Sequence, residues 1–347
     1  MIRWTELELQ TRRPFGIARW TAPSYPRTIV TLRRGAVGRG EAAPNAFYGE
    51  TGATVQAVLP LLSDLDLDPW DWDGLHRSLE ARMPGFHPSV KCALEMAFVE
   101  HCAVSAGLPV WRLLGLSALE LPQSSYTVSL GDNMAQDAQD AAARGYQILK
   151  LKLGQGEARD RANLAAVRHA APDVTLRVDA NAAWGRAEAR RMLPLLEEAG
   201  VELLEQPLAA GDLEGHAELR RLTAVPLVAD ESLHAVQDIP ALAGAFDGVN
   251  LKLAKLGGPL QALRAARLAR AHRLQLMMGC MVETSLGIAA AAHLAGLCDW
   301  ADLDGALLLS DDPFTGLVWT AGQLRRPEGV GWGVQPLDAS LIEEVEG

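Results

Sequence analysis

From residue 122 onwards, short stretches of β-forming residues alternate with longer amphipathic stretches that have the helical period. Strands that alternate with helices are typical of a parallel sheet, and eight such strands predict a closed barrel. An open doubly wound sheet is the alternative, but its first strand usually runs into a GxGxxG turn, which SLGDNM does not match. The eight strands are SYTVSL (125–130), ILKLKL (148–153), TLRVDA (175–180), VELLEQ (201–206), PLVADE (226–231), GVNLKL (248–253), LQLMMG (274–279) and WADLDG (300–305).

The first part of the chain does not follow this alternation. TELELQ, RTIVTLRR and AVGRGEA have the pattern of a small antiparallel meander, and a long amphipathic helix follows and ends at Gly107. We therefore expect an α+β domain over residues 1–115, a barrel carrying the active site over 116–315, and a tail over 316–347. The tail lacks the barrel period, and we expect it to pack back on the first domain.

Composition narrows the class of protein. The chain has 347 residues, 49% of them hydrophobic, and a net charge of −11, which argues against a nucleic-acid or anionic-membrane surface. We expect no membrane span, because no run of about 18 uncharged apolar residues occurs. The four cysteines show no metal-binding spacing and suit buried, reduced thiols in a cytoplasmic protein. The expected partner is a small molecule, and the oligomeric state, a homo-oligomer included, stays open.

Carboxylates stand at the ends of three successive predicted strands: Asp179, Glu205 and Asp230. Neighbouring strands lie about 4.8 Å apart, so these side chains can converge at one rim of the barrel. Three bare carboxylates at that range would repel one another, and a hard divalent cation removes the conflict. Ligands that offer only oxygen indicate Mg²⁺, or Mn²⁺, rather than zinc.

Lysines occupy the ends of two further strands. The alternation in ILKLKLG turns Lys150 and Lys152 to the interior of the barrel and the leucines outwards. Strands two and six lie opposite each other in a ring of eight, so Lys152 and Lys252 should face each other across the metal. A nearby cation lowers the pKa of a lysine, which can then act as a base. Two bases on opposite faces of one carbon can invert it, with Lys150 supplying positive charge that helps to hold a substrate carboxylate.

Single residues of this set have plainer interpretations. An isolated Asp after a strand is usually the N-cap of the next helix, although six coincidences at strand ends disfavour that explanation for the whole set. We leave Lys255 out of the catalytic set as a surface residue, and we interpret Glu231 as a supporting residue or a helix start. His293 and Cys280 are interpreted as packing residues.

These motifs resemble those of the enolase superfamily, in its muconate lactonizing enzyme subgroup. LKLKLG, VDANAAW, LLEQP, VADES and NLKLAKLGG match the subgroup over nearly the whole chain, and GRGEA and GCMVETSLG are also typical. The resemblance implies a modified TIM barrel, (β/α)7β, beneath an α+β capping domain. It also implies Mg²⁺ bound by the three carboxylates, with Lys152 and Lys252 as the acid/base pair.

The D-x-D pair Asp302 and Asp304 resembles that of dipeptide epimerases, where such a pair holds the free α-amino group of the substrate. The resemblance thus implies inversion at the C-terminal residue of a dipeptide. Capping-domain loops should contact that residue's side chain, with Arg19 or Arg27 pairing with a glutamate, or Trp20 and Tyr25 forming an apolar pocket. A cycloisomerase, an o-succinylbenzoate synthase and an acid-sugar dehydratase stay open as alternatives, and so does a non-catalytic binding protein.

Overall fold

The computed structural model of the chain describes residues 1–17, 20–83, 85–117, 120–320 and 322–338. The chain begins with a three-stranded antiparallel sheet in which β2 lies between β1 and β3. The strands of this sheet are β1 (Ile2–Ile17), β2 (Trp20–Arg34) and β3 (Ala36–Ala42). The helices that follow are α1 (Gly52–Val58), α2 (Trp72–Arg82), α3 (Pro88–Ala106) and α4 (Val110–Leu113).

Helix α3 packs directly on strand β3, and a glycine of the GRGEA motif permits this close approach. A Cβ atom on Gly40 would lie 1.9 Å from the carbonyl oxygen of Ala93 in α3. Any larger residue would push the helix away from the sheet. The helix begins with Pro88 in its first turn and ends at Gly107, whose φ of 67° is left-handed.

The second part of the chain is an eight-stranded parallel sheet in which every strand pairs with its neighbours in sequence. A parallel bridge between Ser124 and Ala301 brings the two edge strands together, and the Ser125 amide donates a 3.1 Å hydrogen bond to the carbonyl of Ala301. The predicted barrel is therefore confirmed, and the open sheet is wrong. Its strands are β4 (Tyr126–Val128), β5 (Ile148–Lys152), β6 (Thr175–Asp179), β7 (Val201–Glu205), β8 (Leu227–Ala229), β9 (Gly248–Lys252), β10 (Gln275–Gly279) and β11 (Trp300–Asp302).

Helices occupy all seven connections between these strands, as the sequence pattern predicts. The connection from β8 to β9 has only one turn of α-helix, and the one from β9 to β10 has two helices. None of the helices in the described ranges has both the length and the apolar character needed to cross a bilayer. The barrel helices are α5 (Met134–Ala143), α6 (Glu157–Ala170), α7 (Arg186–Glu198), α8 (Leu213–Leu222), α9 (Ile239–Leu242), α10 (Leu253–Leu256), α11 (Pro259–Ala271) and α12 (Ser285–Ala295).

The two faces of strand β5 carry different chemistry. Leu149 and Leu151 are fully buried in the main hydrophobic core, while Lys150 and Lys152 form ion pairs with acids on other barrel strands. Inside the barrel, a separate apolar cluster of Leu203, Val228, Met277 and Trp300 fills the space. The interior therefore has an apolar layer as well as a charged one, and the charged layer holds the functional groups.

The last described residues form two small antiparallel pairs and contact both parts of the protein. The Trp332 indole donates a 3.1 Å hydrogen bond to the carbonyl of Arg39 in β3, and its backbone amide donates to Glu100 in α3. This contact fixes residues 331–334 against the first sheet. The strands of the pairs are β12 (Phe314–Thr315), β13 (Trp319–Thr320), β14 (Gln323–Leu324) and β15 (Gln335–Pro336).

Candidate active site

Three buried carboxylates meet at the C-terminal ends of adjacent barrel strands. Asp179 ends β6, Glu205 ends β7 and Asp230 follows β8, and one ligand oxygen from each lies within 4.8 Å of the others. The backbone after β6 and β7 turns sharply, with φ of 45° at Asn181 and 36° at Gln206. We call these three carboxylates the acidic triad.

The turns after the strands hold the acidic triad in place. The amide of Asn181 donates a 2.8 Å hydrogen bond to Asp179 Oδ1, and the side-chain oxygen of Gln206 accepts one of 3.0 Å from the amide of Asp230. Left-handed backbone at non-glycine residues is costly and occurs mostly where the surrounding structure requires it. The residues with positive φ therefore lie in the turns that orient the carboxylates of the acidic triad.

The two predicted bases lie on either side of the acidic triad. Lys152 Nζ donates a 2.7 Å hydrogen bond to Asp179 Oδ2, and Lys252 Nζ donates one of 2.7 Å to Asp230 Oδ2. Their strands, β5 and β9, are four positions apart in the eight-stranded sheet. Both lysines line the same cavity. The structure therefore brings together the lysine pair and the triad as the sequence predicts.

Lys150 lies deeper than the sequence analysis expected. Its side chain is fully buried and is not among the cavity-lining residues. Its Nζ is 2.6 Å from Glu205 Oε2, 2.7 Å from Asp302 Oδ2 and 3.3 Å from Asp179 Oδ2. Burial alone would lower the pKa of Lys150, but the three carboxylates together raise it well above its usual value. Lys150 is therefore a fixed positive charge beneath the triad, and its contribution to holding a substrate carboxylate stays a prediction.

The expected lowering of the pKa of Lys252 is not produced by the protein's own groups. Burial favours the neutral amine, but Asp230 and Glu205 outweigh burial and raise the pKa of Lys252. Burial and the neighbouring Asp179 raise the pKa of Glu205 to about 7. Both pKa values are raised, and neighbouring charges contribute to each shift, so the acids and lysines of this layer depend on one another's charge.

The acidic triad fits a hard divalent cation. All its ligand atoms are carboxylate oxygens, the donors that Mg²⁺ prefers. Glu205 Oε2 faces Lys150 outside hydrogen-bond geometry and accepts no hydrogen bond from any described residue. Glu205 Oε1 accepts a 2.8 Å hydrogen bond from the Asn250 side chain, which orients the carboxylate. One oxygen of this buried carboxylate is thus available to a metal ion.

Sequence reasoning missed two members of this layer. Lys255 is buried, not a surface residue, and its Nζ lies 2.6 Å from Asp230 Oδ1. The place of Lys255 could have been recognised from the start of helix α10 directly after Lys252. Residues 252 and 255 are therefore one helical turn apart and reach the same carboxylate. Asn250 precedes Lys252 by two residues on β9 and therefore shares its inward face.

Asp302 and Asp304 both line the cavity, and Lys150 contacts both Asp302 and Glu205. Asp302 accepts a 2.6 Å hydrogen bond from the Ser125 hydroxyl, and Asp304 accepts one of 2.7 Å from the amide of Thr127. Burial would raise the pKa of Asp302, but Lys150 lowers it to about 2. Burial and the charge of Asp302 raise the pKa of Asp304 to about 7. One carboxylate is thus already paired, and the other lacks a cationic partner among the described residues.

Residues of the first domain close the cavity. Tyr25 on β2 lines it, and burial raises the pKa of the Tyr25 phenol. Arg27 also lines it, but its guanidinium donates to the carbonyls of Val282 and Pro26. Arg19 lies outside the described residues, and Trp20 is described only as part of the backbone of β2.

The resulting cavity has a volume of about 430 Å³, within the range of small-molecule sites. Glu231 lines it, as does Cys280, which is partly buried and borders the cavity instead of lying wholly in the core. The interpretation of His293 as a packing residue is confirmed, because it is buried between the amide of Trp111 and the carbonyl of Trp332.

Comparisons with known proteins agree with this geometry. The family model described as "Enolase C-terminal domain-like" matches residues 133–340. A hydrophobic dipeptide epimerase from Roseobacter litoralis is 38% identical over 330 residues, which cover 92% of this chain and 94% of that protein.

Solved structures give the same result. A dipeptide epimerase from Cytophaga hutchinsonii, complexed with Mg and the dipeptide D-Ala-L-Val, has a TM-score of 0.94 and 29% identity, and the match covers 98% of this chain and 96% of the other. A muconate lactonizing enzyme from Pseudomonas fluorescens has a TM-score of 0.91 and 30% identity, over 99% and 97% of the two chains. This chain therefore belongs to the enolase superfamily, in the muconate lactonizing enzyme subgroup with the dipeptide epimerases, and is an isomerase.

Proposed function

We propose that this chain is a Mg²⁺-dependent dipeptide epimerase that inverts the α-carbon of the C-terminal residue of its substrate. One observation carries the proposal: Lys152 and Lys252, from strands on opposite sides of the barrel, line one cavity beside the acidic triad. The similarity to dipeptide epimerases, one of them solved with Mg and a dipeptide, supports this substrate class. The oxygen-only ligand set also suits Mn²⁺.

In the proposed reaction, one lysine removes the α-proton and the other returns a proton to the opposite face of the carbon. Each lysine must lose its own proton before it can act as a base. The charge of its partner carboxylate therefore controls how readily the lysine becomes neutral. Asp179 and Asp230, the hydrogen-bond partners of Lys152 and Lys252, would hold the ion together with Glu205. Bound Mg²⁺ would supply positive charge that stabilises the enolate form of the substrate carboxylate.

The amino terminus of the dipeptide would bind at Asp302 and Asp304. Both line the cavity, and Asp304 has no ion-pair partner among the described residues. An ammonium group placed between these carboxylates gains charge-assisted hydrogen bonds in a largely dry site. The α-carbon of the second residue would then lie between the lysines. The four free cysteines support the expectation of a reducing, cytoplasmic setting.

A deuterium-exchange screen tests this function. The protein is incubated with a library of L,L-dipeptides and Mg²⁺ in D₂O, and mass spectrometry follows uptake of one deuteron at the C-terminal residue. We expect exchange together with formation of the L,D-isomer, and neither in a Lys152→Met, Lys252→Met double variant. If no dipeptide exchanges while the protein is folded and saturated with Mg²⁺, the proposal is rejected. Exchange that persists in the double variant would reject the assignment of the two lysines.

Removing a charge from the protein or from the substrate separates the alternatives in the superfamily. A cycloisomerase, an o-succinylbenzoate synthase or an acid-sugar dehydratase acts on substrates without an ammonium group. An Asp304→Asn variant should then keep its activity, whereas a dipeptide epimerase should lose substrate affinity. N-acetylated dipeptides provide the matched substrates, because acetylation removes the positive charge and leaves the reacting carbon unchanged.

A further inference from the structure

Two motifs that the proposed reaction does not use meet in the folded protein. Glu41 belongs to GRGEA on β3, and Glu283 belongs to GCMVETSLG between β10 and α12. Arg27 on β2 lies beside them, with its Nε 3.8 Å from Glu41 Oε1. All three residues are buried, and the side chain of Glu41 has no exposed surface. The cluster therefore joins the first sheet to the barrel through ionisable groups shielded from water.

Arg27 holds the backbone of the barrel segment that follows β10. Its Nε donates a 2.7 Å hydrogen bond to the carbonyl of Val282, and its Nη2 donates to the same oxygen. Its Nη1 donates to the carbonyl of Pro26. With these donors engaged, Arg27 anchors the backbone, and the alternative in which it pairs with a substrate glutamate is disfavoured.

Glu41 holds the next residues of the same segment. Its carboxylate accepts hydrogen bonds of 3.1 Å from the amides of Thr284 and Gly287, and another from the Thr284 hydroxyl. These amides belong to the first turn of α12, whose N–H groups lack partners inside the helix. A negative charge at a helix N-terminus is also electrostatically favourable. A residue of the first sheet thus completes the N-terminus of a barrel helix.

The residues that lead into these two anchors form a wall of the cavity. Cys280, Met281 and Val282 all line it. Glu283 supports the segment from within, because its Oε1 accepts a 2.7 Å hydrogen bond from the amide of Met281. A Cβ atom at Gly287 would lie 2.3 Å from Glu283 Oε2 and 3.1 Å from Glu41 Oε2, so a side chain here would require the Glu283 carboxylate to move.

We propose that Arg27 and Glu41 form a clamp that positions residues 280–282 as the substrate-facing wall of the cavity. They are positioning residues: they act through the backbone of Val282 and Thr284. The inference rests on the proposed function for its kinetic consequence. Loosening the clamp should weaken substrate binding more than it slows turnover, because the wall carries no acid or base of the reaction.

The chain offers a matched control for Arg27. Arg39 is also a buried arginine of the first sheet, and it makes a two-point ion pair with Glu100 and donates to the carbonyl of Val334. Arg39 is not among the residues that line the cavity. Arginine-to-lysine changes at the two positions keep the charge and remove the two-pronged donor geometry in both cases. Only the Arg27 change should affect the wall.

The experiment compares Arg27→Lys with Arg39→Lys by kinetics and by hydrogen exchange of the Mg²⁺-loaded protein. For Arg27→Lys we expect KM for a dipeptide to rise about 10-fold or more, with kcat within about 3-fold of the value for the parent protein. Hydrogen bonds that involve a charged group contribute enough free energy for a change of this size. Amides in peptides covering 282–288 should exchange faster in this variant. Arg39→Lys should leave both quantities near those of the parent protein.

A second variant, Glu41→Gln, guards against a failure of Arg27→Lys to fold. It keeps one acceptor oxygen for the first turn of α12 and replaces the other with an NH₂ group, which cannot accept a hydrogen bond, so we expect the same direction of change. An unchanged KM in both folded variants, or exchange at 282–288 no faster than in Arg39→Lys, overturns the proposal. If the parent protein turns over no dipeptide, the proposed function fails, and the exchange comparison still decides whether the clamp holds the wall.

Discussion

Lys152 and Lys252 each donate a 2.7 Å hydrogen bond to a different acid of the triad, from strands four positions apart in the barrel. The two ammonium groups therefore approach the cavity from different sides, and each is paired with its own carboxylate of the triad. In the proposed reaction, each lysine would serve one face of a bound α-carbon. The consequence can be tested one lysine at a time.

Single replacement of either lysine should separate proton removal from inversion. In Lys152→Met and Lys252→Met we expect epimerisation to fall by about 10²–10⁴-fold, the usual loss when a positioned base is removed. Each variant should still exchange the α-proton of one stereoisomer in D₂O, and the two variants should act on opposite isomers. Proton NMR of L,L- and L,D-dipeptides measures both rates. Normal epimerisation in either variant would contradict the two-base assignment.

Removal of one triad carboxylate should weaken metal binding without collapsing the site. Glu205→Gln keeps an oxygen that can accept from Asn250 and removes one negative charge. We expect the Kd for Mg²⁺ to rise at least about 10–100-fold, the loss typical even for residues that only support a metal ligand. Calorimetric titration with Mg²⁺ measures it. Asp304→Asn is the control, because Asp304 lines the cavity outside the triad, and equal losses in the two variants would contradict the assignment.

The ionisation of Asp304 should appear in the pH profile of the reaction. Its pKa of about 7 means that the carboxylate form, which attracts an ammonium group, becomes populated as the pH rises through about 7. We expect kcat/KM for dipeptides to rise over this interval, until the substrate amine loses its proton near pH 8. Asp304→Asn should lose this rise and have a KM about 10–100-fold higher. A variant with the same profile as the parent would contradict the role of Asp304.

The charges of the cavity should select the side chain of the second residue. Among the described lining residues, Glu231 adds negative charge, Arg27 is engaged with backbone carbonyls, and Phe47 offers an apolar surface. We expect kcat/KM for L-Ala-L-Leu to exceed that for L-Ala-L-Glu by at least about 10-fold, because a like charge in a dry site is unfavourable. A panel of L-Ala dipeptides measures this preference. A maximum at L-Ala-L-Glu would contradict it.

His293 should make the stability of the protein depend on pH. Its Nδ1 accepts from the amide of Trp111 and its Nε2 donates to the carbonyl of Trp332, so only the neutral ring satisfies both partners. Burial lowers the pKa of His293 from 6.5 to about 4. The unfolded chain therefore binds more protons between these values, and the stability present above pH 6.5 is lost as the pH falls towards 4.

The size of this loss should be on the order of 3 kcal/mol for a shift of this magnitude. Urea denaturation at pH 7.5 and pH 4.5 measures it. His293→Gln can keep one acceptor and one donor without titrating, so the difference between the two pH values should shrink in this variant. An equal pH dependence in both proteins would show that other groups cause it.

The fold and the catalytic layer followed from periodicity. The alternation in ILKLKLG placed the lysines inside and the leucines outside, and the same reasoning aligned the triad at one rim. The burial of Lys255 was not predicted, because its position depends on a helical turn that starts directly after Lys252. Strand and helix patterns cannot locate such a junction to one residue.

Contacts between segments that are far apart in the sequence could not be predicted from local patterns. Glu41 and Glu283 each belong to a motif noted in the sequence, yet no local pattern indicates that the two meet beside Arg27. Lys150 shows a related limit, because alternation gives the face of a strand on which a residue lies but not its depth in the barrel. The depth of Lys150 is apparent only in the folded structure, where three carboxylates surround its Nζ.

The hydrogen bond from Arg27 to Val282 spans 255 positions of the chain. During synthesis, the first sheet leaves the ribosome long before the segment that it will anchor, so the cavity wall cannot form until most of the barrel has been made. Contacts of such long range also slow folding, because a large loop must close before they form. Substrate binding should therefore be among the last properties that a refolding molecule regains, after its helices and most of its core.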